Sequence, residues 1–182
     1  MQGNHLPERK RNRLSQYDYS ENGAYFITIC TKDMKCILSH IAGGKSVGDG
    51  VLDVPQVKLT KFGKIINDRI IEMNSIYKNV NVEKFVIMPN HIHLLIIIDN
   101  YNEDITEGLG TSRTPSPTRQ NSVISSFVST LKRYTNKQIG YNIWQRSFHD
   151  HVVRNEEDFL TRWQYIDENP KKWLLGKDEY YK

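Results

Sequence analysis

His91 and His93 stand two residues apart in the stretch Met88-Pro89-Asn90-His91-Ile92-His93-Leu94-Leu95-Ile96-Ile97-Ile98-Asp99. A short apolar run of this kind reads as a buried strand, and in a strand residues i and i+2 share a face. Both imidazoles therefore project from one side of a sheet, about 6–7 Å apart along it. From there two nitrogens can converge on one metal ion, for which neutral imidazole is the commonest protein ligand. The competing reading is a pair of core histidines satisfied by hydrogen bonds, as buried polar groups generally are.

A second set of polar side chains lies on a helix expected over residues 121–139, where Ile124, Phe127, Val128 and Leu131 recur at helical spacing. At about 100° per residue, with Phe127 as origin, Leu131 falls at about 40°, Tyr134 at about −20° and Gln138 at about 20°. If that stripe covers the histidine face of the sheet, a phenol and an amide reach His91 and His93. A packed aromatic and a solvated amide are the plainer readings of the same two residues. Mg²⁺ or Mn²⁺ suits such mixed nitrogen and oxygen ligands and leaves positions for phosphate and water. A phenol beside a metal-bound phosphate is a candidate nucleophile, and the metal would polarise the phosphoryl oxygens. His149-Asp150-His151 repeats the two-residue spacing, but its central Asp lacks the buried-strand context. His151 is read instead as a DNA contact or as a support behind the metal ligands.

Several elements must position these groups. Tyr25–Thr31 is β-branched and aromatic after an Asn22-Gly23 turn and reads as a strand. Residues 41–57 read as a loop or hairpin excursion with weak strand content. Phe62, Ile65, Ile66, Ile70, Met73 and Tyr77 mark an amphipathic helix over 60–78, with Thr60 as N-cap. Val82–Met88 and His91–Asp99 form an antiparallel hairpin through Pro89-Asn90. Residues 100–119 lose periodicity and read as a mobile loop. Asn121 or Ser122 caps the next helix, and Gly140 follows it. Residues 143–153 suit a strand or extended segment. Glu156–Asp167 is a helix that Asn169-Pro170 ends. The fold class is therefore α+β, a ferredoxin-like or RRM-like antiparallel sheet with helices packed on one face. The expected organisation is a basic arm over 1–16, a single catalytic domain over 17–175 and a tail over 176–182.

The 182-residue chain is 38% hydrophobic and 25% charged, the balance of a globular domain rather than of a disordered one. No apolar run is long enough to span a bilayer, and Met1 is followed by polar and basic residues with no secretory signal. No membrane partner and a cytoplasmic location are expected. Cys30 and Cys36 are too few for a disulfide framework. A net charge of +4 is compatible with nucleic acid without demanding it. Arg9, Lys10, Arg11 and Arg13, with Lys132, Arg133 and Arg146, could track phosphates, and Trp144 could stack a base. Solvated charge and a packed indole are the alternatives.

In order and type, these motifs resemble the single-tyrosine HUH transposases, particularly the REP-associated tyrosine transposase group. The resemblance rests on Met88–Leu94, on Leu131-Lys132-Arg133-Tyr134 with Gln138, and on Trp144-Gln145-Arg146 followed by Asp150–Arg154. Tyr165–Pro170 and the opening Tyr17-Asp18-Tyr19-Ser20 and Tyr25–Thr31 complete it, so that it runs from Tyr17 to Trp173. It implies an enzyme that binds single-stranded DNA, often beside a hairpin, and acts as a monomer or a homodimer. His91, His93 and Gln138 would hold a divalent metal. Tyr134 would attack the scissile phosphate to give a 5′-phosphotyrosine and a free 3′-OH, which can later rejoin strands. A non-cleaving DNA-binding protein and a metal hydrolase using activated water are the competing functions.

Overall fold

A computed structural model describes residues 21–43, 55–100 and 122–176. The arm at 1–16 with Arg9, Lys10, Arg11 and Arg13, the loop at 101–119 and residues 177–182 lie outside them. A four-stranded antiparallel sheet is built from β1 (Gly23–Cys30), β4 (Val80–Ile87), β5 (His91–Ile98) and β6 (His149–Val153), in the order β4-β5-β1-β6. The excursion after β1 forms a separate two-stranded hairpin, β2 (Ser39–Ala42) with β3 (Gln56–Leu59). Three helices complete the fold: α1 (Lys61–Ile76), α2 (Val123–Ile139) and α3 (Glu156–Leu174). The α+β class and the antiparallel sheet are as expected; the helices, however, divide between the two faces.

Strand parity decides that division. Ile92, Leu94, Ile96 and Ile98 of β5 share a face with Tyr25, Ile27 and Ile29 of β1, and all are buried. Ile66, Ile70 and Met73 of α1 and Ile124, Phe127, Val128 and Leu131 of α2 pack on that face. The opposite parity puts His91, His93 and Leu95 with Phe26 and Thr28 on the other face. There Ile166, Phe159, Trp163 and Tyr165 of α3 cover Phe26 and Leu95.

The caps follow the sequence. Thr60 accepts from Gly63 N–H at 3.2 Å and Ser122 accepts from Ser125 N–H at 3.2 Å, each satisfying a donor of the first turn. Gly140 ends α2 with φ of 95°, a left-handed cap that glycine adopts without penalty. Asn155 caps α3 by accepting from Asp158 N–H at 2.8 Å. The expected end of α3 at Asn169-Pro170 is corrected: the helix runs through Pro170 to Leu174. An interior proline forfeits one backbone hydrogen bond, at about 3 kcal/mol. Burial of the apolar Ile166 and Pro170 offsets that cost.

Candidate active site

The histidine site begins with strand register. His93 pairs with Thr28 and His91 with Cys30 across β5 and β1. Their rings lie with centroids 4.6 Å apart, and both side chains are 0% exposed. Nδ1 of His91 is 2.7 Å from Asn90 Oδ1. A carbonyl oxygen only accepts, so this nitrogen carries the proton and the neutral ring keeps its lone pair on Nε2. Nδ1 of His93 is 2.8 Å from Thr28 Oγ1. These contacts orient the rings from behind, as hydrogen bonds to metal-binding histidines do. Burial pushes the pKa of His91 down to about 3, against the opposing effect of Asn169 as an acceptor for the ring. Burial, then the neighbouring His91, holds that of His93 well below 6.5. Both rings are therefore neutral near pH 7, the form that binds a cation.

α3 supplies what faces them. Tyr165 meets His93 edge-on at 5.3 Å between ring centroids, and Phe26 stacks on His93 at 5.0 Å. Asn169, one turn on and fully buried, faces His91. Trp173, a further turn along, lies 6.2 Å from His91. Lys172 places its ammonium 5.0 Å over the Tyr165 ring. Spacings of four put Tyr165, Asn169 and Trp173 on one helix face. Two imidazoles, an amide and a phenol thus converge at one point. Among the described residues no group of three or more His, Cys, Asp or Glu could hold a metal, so a third protein ligand here would be the Asn169 amide oxygen.

The expectation for Tyr134 and Gln138 is corrected. α2 packs on the sheet face opposite the histidines, so its stripe does not reach them. The buried stripe of α2 is Ile124, Phe127, Val128, Leu131 and Thr135, centred at about 60° on the same wheel. Tyr134 lies at its edge, 37% exposed, with the Arg69 guanidinium 4.7 Å over its ring. Gln138 is exposed in the last turn. The usable signal for the missed residues was the Tyr165-x-x-x-Asn169 spacing, which repeats that of Tyr134 and Gln138. Reading Pro170 as a helix end hid the continuous face from Tyr165 to Trp173.

The proposed DNA contacts separate. Trp144 is 2% exposed and its Nε1–H donates to Thr135 Oγ1 at 2.9 Å, so its ring is not available to stack a base. Lys132 Nζ donates to the carbonyls of Gln145 and Ser147 at 2.8 and 2.9 Å, tying α2 to the following loop. Arg133 lies against the Tyr134 ring, and Arg146 is exposed. His151 belongs to a network on the α3 side of the sheet, its Nε2 2.7 Å from Asp158, whose other oxygen accepts from Arg162 at 3.1 Å. Arg162 in turn lies 5.7 Å over Phe26, the ring that stacks on His93. His151 is thus linked through α3 to the ring that stacks on His93.

No family model matches the chain. It is 31% identical to an uncharacterised protein of Haemophilus influenzae over 184 aligned positions, 97% of this chain and 94% of the relative. A second protein of the same organism, provisionally named a REP-associated tyrosine transposase, is 24% identical over 87% of this chain and 77% of its own length. Among solved structures, a REP-associated tyrosine transposase bound to a REP hairpin shares the fold. It aligns with a TM-score of 0.55 at 19% identity over 92% of this chain and 74% of that one. The two share an α+β architecture built on an antiparallel sheet. The chain thus resembles a protein provisionally named a REP-associated tyrosine transposase in sequence, and a REP-associated tyrosine transposase in fold. No helix among the described residues is long and apolar enough to cross a membrane.

Proposed function

We propose that this chain cuts and rejoins single-stranded DNA beside hairpins through a tyrosine–phosphate linkage, with Tyr165 rather than Tyr134 as nucleophile. One observation carries the reading: a single face of α3 lays Tyr165 and Asn169 on His93 and His91. The donor set fits a divalent cation, because both imidazoles are neutral and held from behind and an amide oxygen adjoins them. His91, His93 and Asn169 would hold Mg²⁺ or Mn²⁺. When bound, that ion supplies positive charge for a DNA phosphate. The phenol oxygen of Tyr165 forms the new bond to phosphorus and releases its proton. The bond to the 3′ oxygen breaks, and that oxygen departs and takes up a proton as a free 3′-OH. The product is a 5′-phosphotyrosine, and attack by a 3′-OH on the same phosphorus reverses the step without an external energy source. Lys172, paired with Glu168 at 3.1 Å, lies 5.0 Å over the Tyr165 ring and could turn to a phosphate bound there.

The test incubates wild type, Tyr165→Phe and Tyr134→Phe with a labelled hairpin-bearing single strand and Mn²⁺. A covalent adduct absent only from Tyr165→Phe is expected. An adduct lost in Tyr134→Phe and kept in Tyr165→Phe would overturn the assignment, and cleavage without any adduct would favour activated water. The complete burial of both imidazoles favours one other reading, a protein that binds hairpins without cutting. It predicts binding with neither adduct nor cleavage.

A further inference from the structure

Directly beyond β1 the chain makes a tight turn in which Asp33 and Met34 are both left-handed, with φ of 57° and 53°. Such backbone is uncommon for residues other than glycine and persists only where the surroundings impose it. Here the surroundings are the loop before β6. Lys32 N–H donates to the Ile143 carbonyl at 2.7 Å, Gln145 N–H donates to the Cys30 carbonyl at 2.9 Å, and Thr31 bridges Trp144. Gln145 Nε2 also meets Met34 Sδ at 3.4 Å.

Between the turn and that loop lies a groove of about 600 Å³, lined among others by Lys32, Asp33, Asn142, Gln145 and Arg146. Its volume is that of a small-molecule site. Lys32 and Arg146 are exposed, and neither forms an ion pair among the described residues. Asp33 brings a carboxylate to the same lining, which also holds Lys132 of α2, its Nζ bonded to the Gln145 and Ser147 carbonyls. A bare inorganic anion would meet that carboxylate as a repulsion. A nucleotide matches both signs, because its phosphate suits the cations and the amino group of its base suits a carboxylate acceptor. The groove also lies at the histidine end of the sheet. Cys30 pairs with His91, and Thr31 N–H donates to the Asn90 carbonyl at 2.9 Å.

We infer that this groove receives one unpaired nucleotide of the strand running to the histidine site. Arg146 and Lys32 hold its phosphate, and Asp33 accepts from the base amino group, so that cytosine or adenine is favoured over thymine. The inference rests on the DNA-processing reading above and adds a specificity subsite to it.

The test measures binding of the full chain to a DNA hairpin with a short single-stranded extension of dC, dA or dT, by fluorescence anisotropy. The dC and dA extensions are expected to bind about five- to hundredfold more tightly than dT. Asp33→Gly tolerates the left-handed turn while removing the acceptor, and it should abolish that preference. Arg146→Ala should weaken all three probes alike and lower the salt-dependence slope by about 1. Equal wild-type affinity for the three extensions overturns the subsite while leaving hairpin binding intact. So does an Asp33→Gly variant, folded by circular dichroism, that keeps the wild-type preference. Failure of wild type to bind any hairpin overturns the DNA reading and the subsite together.

Discussion

Acid should destabilise this protein through its histidine pair. Both imidazoles are fully buried, and burial takes the pKa of His91 from 6.5 to about 3 while holding that of His93 well below 6.5. In the unfolded chain both return to about 6.5. Between the two values the unfolded chain binds more protons than the folded one, so stability rises with pH across that window. The contribution is complete above about 6.5 and is lost as pH falls toward the folded value. For His91 the gap amounts to about 5 kcal/mol over the whole window, at 1.36 kcal/mol for each pKa unit. About 2 kcal/mol of that falls between pH 7 and pH 5. His93 contributes with the same sign, and the His91 part alone is a sizeable share of a typical total of about 5–15 kcal/mol. The assay is urea denaturation of wild type and His91→Gln at both pH values. Wild type should lose at least about 2 kcal/mol on acidification, and the variant about 2 kcal/mol less than wild type. A wild type equally stable at pH 7 and pH 5, or a variant with the full loss, would refute the reasoning.

Mn²⁺ at about a hundred times its dissociation constant should stabilise wild type by about 2.7 kcal/mol at neutral pH. A thermal shift kept by a His91→Ala, Asn169→Ala double variant would place the ion elsewhere. Gly63→Ala should destabilise by at least about 1–3 kcal/mol, because the added Cβ would lie 2.1 Å from the Leu38 carbonyl oxygen; urea unfolding measures it, and a neutral effect would argue against that close approach. Trp144→Phe should cost about 1–3 kcal/mol by leaving Thr135 Oγ1 without the indole donor, and an unchanged denaturation midpoint would speak against the bond. Burial alone would raise the pKa of Asp158, but hydrogen bonds from His151, the Arg154 amide and Arg162 lower it below 3.8. Asp158→Asn should therefore cost about 1 kcal/mol at neutral pH. That difference from wild type is complete above about pH 4 and fades as the pH falls through the lowered pKa, which unfolding curves at pH 6 and pH 3 would show.

The sequence by itself determined most of the elements. Period-two alternation put His91 and His93 on one face of β5, helical spacing set α1 and α2, and Thr60, Ser122 and Gly140 marked their ends, because these signals are local. Sequence could not decide which helix lies on which face of the sheet. Tyr134 with Gln138 and Tyr165 with Asn169 share one spacing on two amphipathic helices, and helical periodicity carries no information about the surface a stripe will meet. That choice was made by packing. Phe127 and Leu131 joined the apolar parity of β5, Ile92, Leu94 and Ile96, while α3 closed over the other parity and drew Tyr165 and Asn169 onto the histidines. Pro170 misled for the same reason. The local rule that ends a helix at proline was outweighed by the burial that the continued helix achieves against the sheet. The histidine face was thus legible along the chain, and the phenol that faces it was settled only by the tertiary fold.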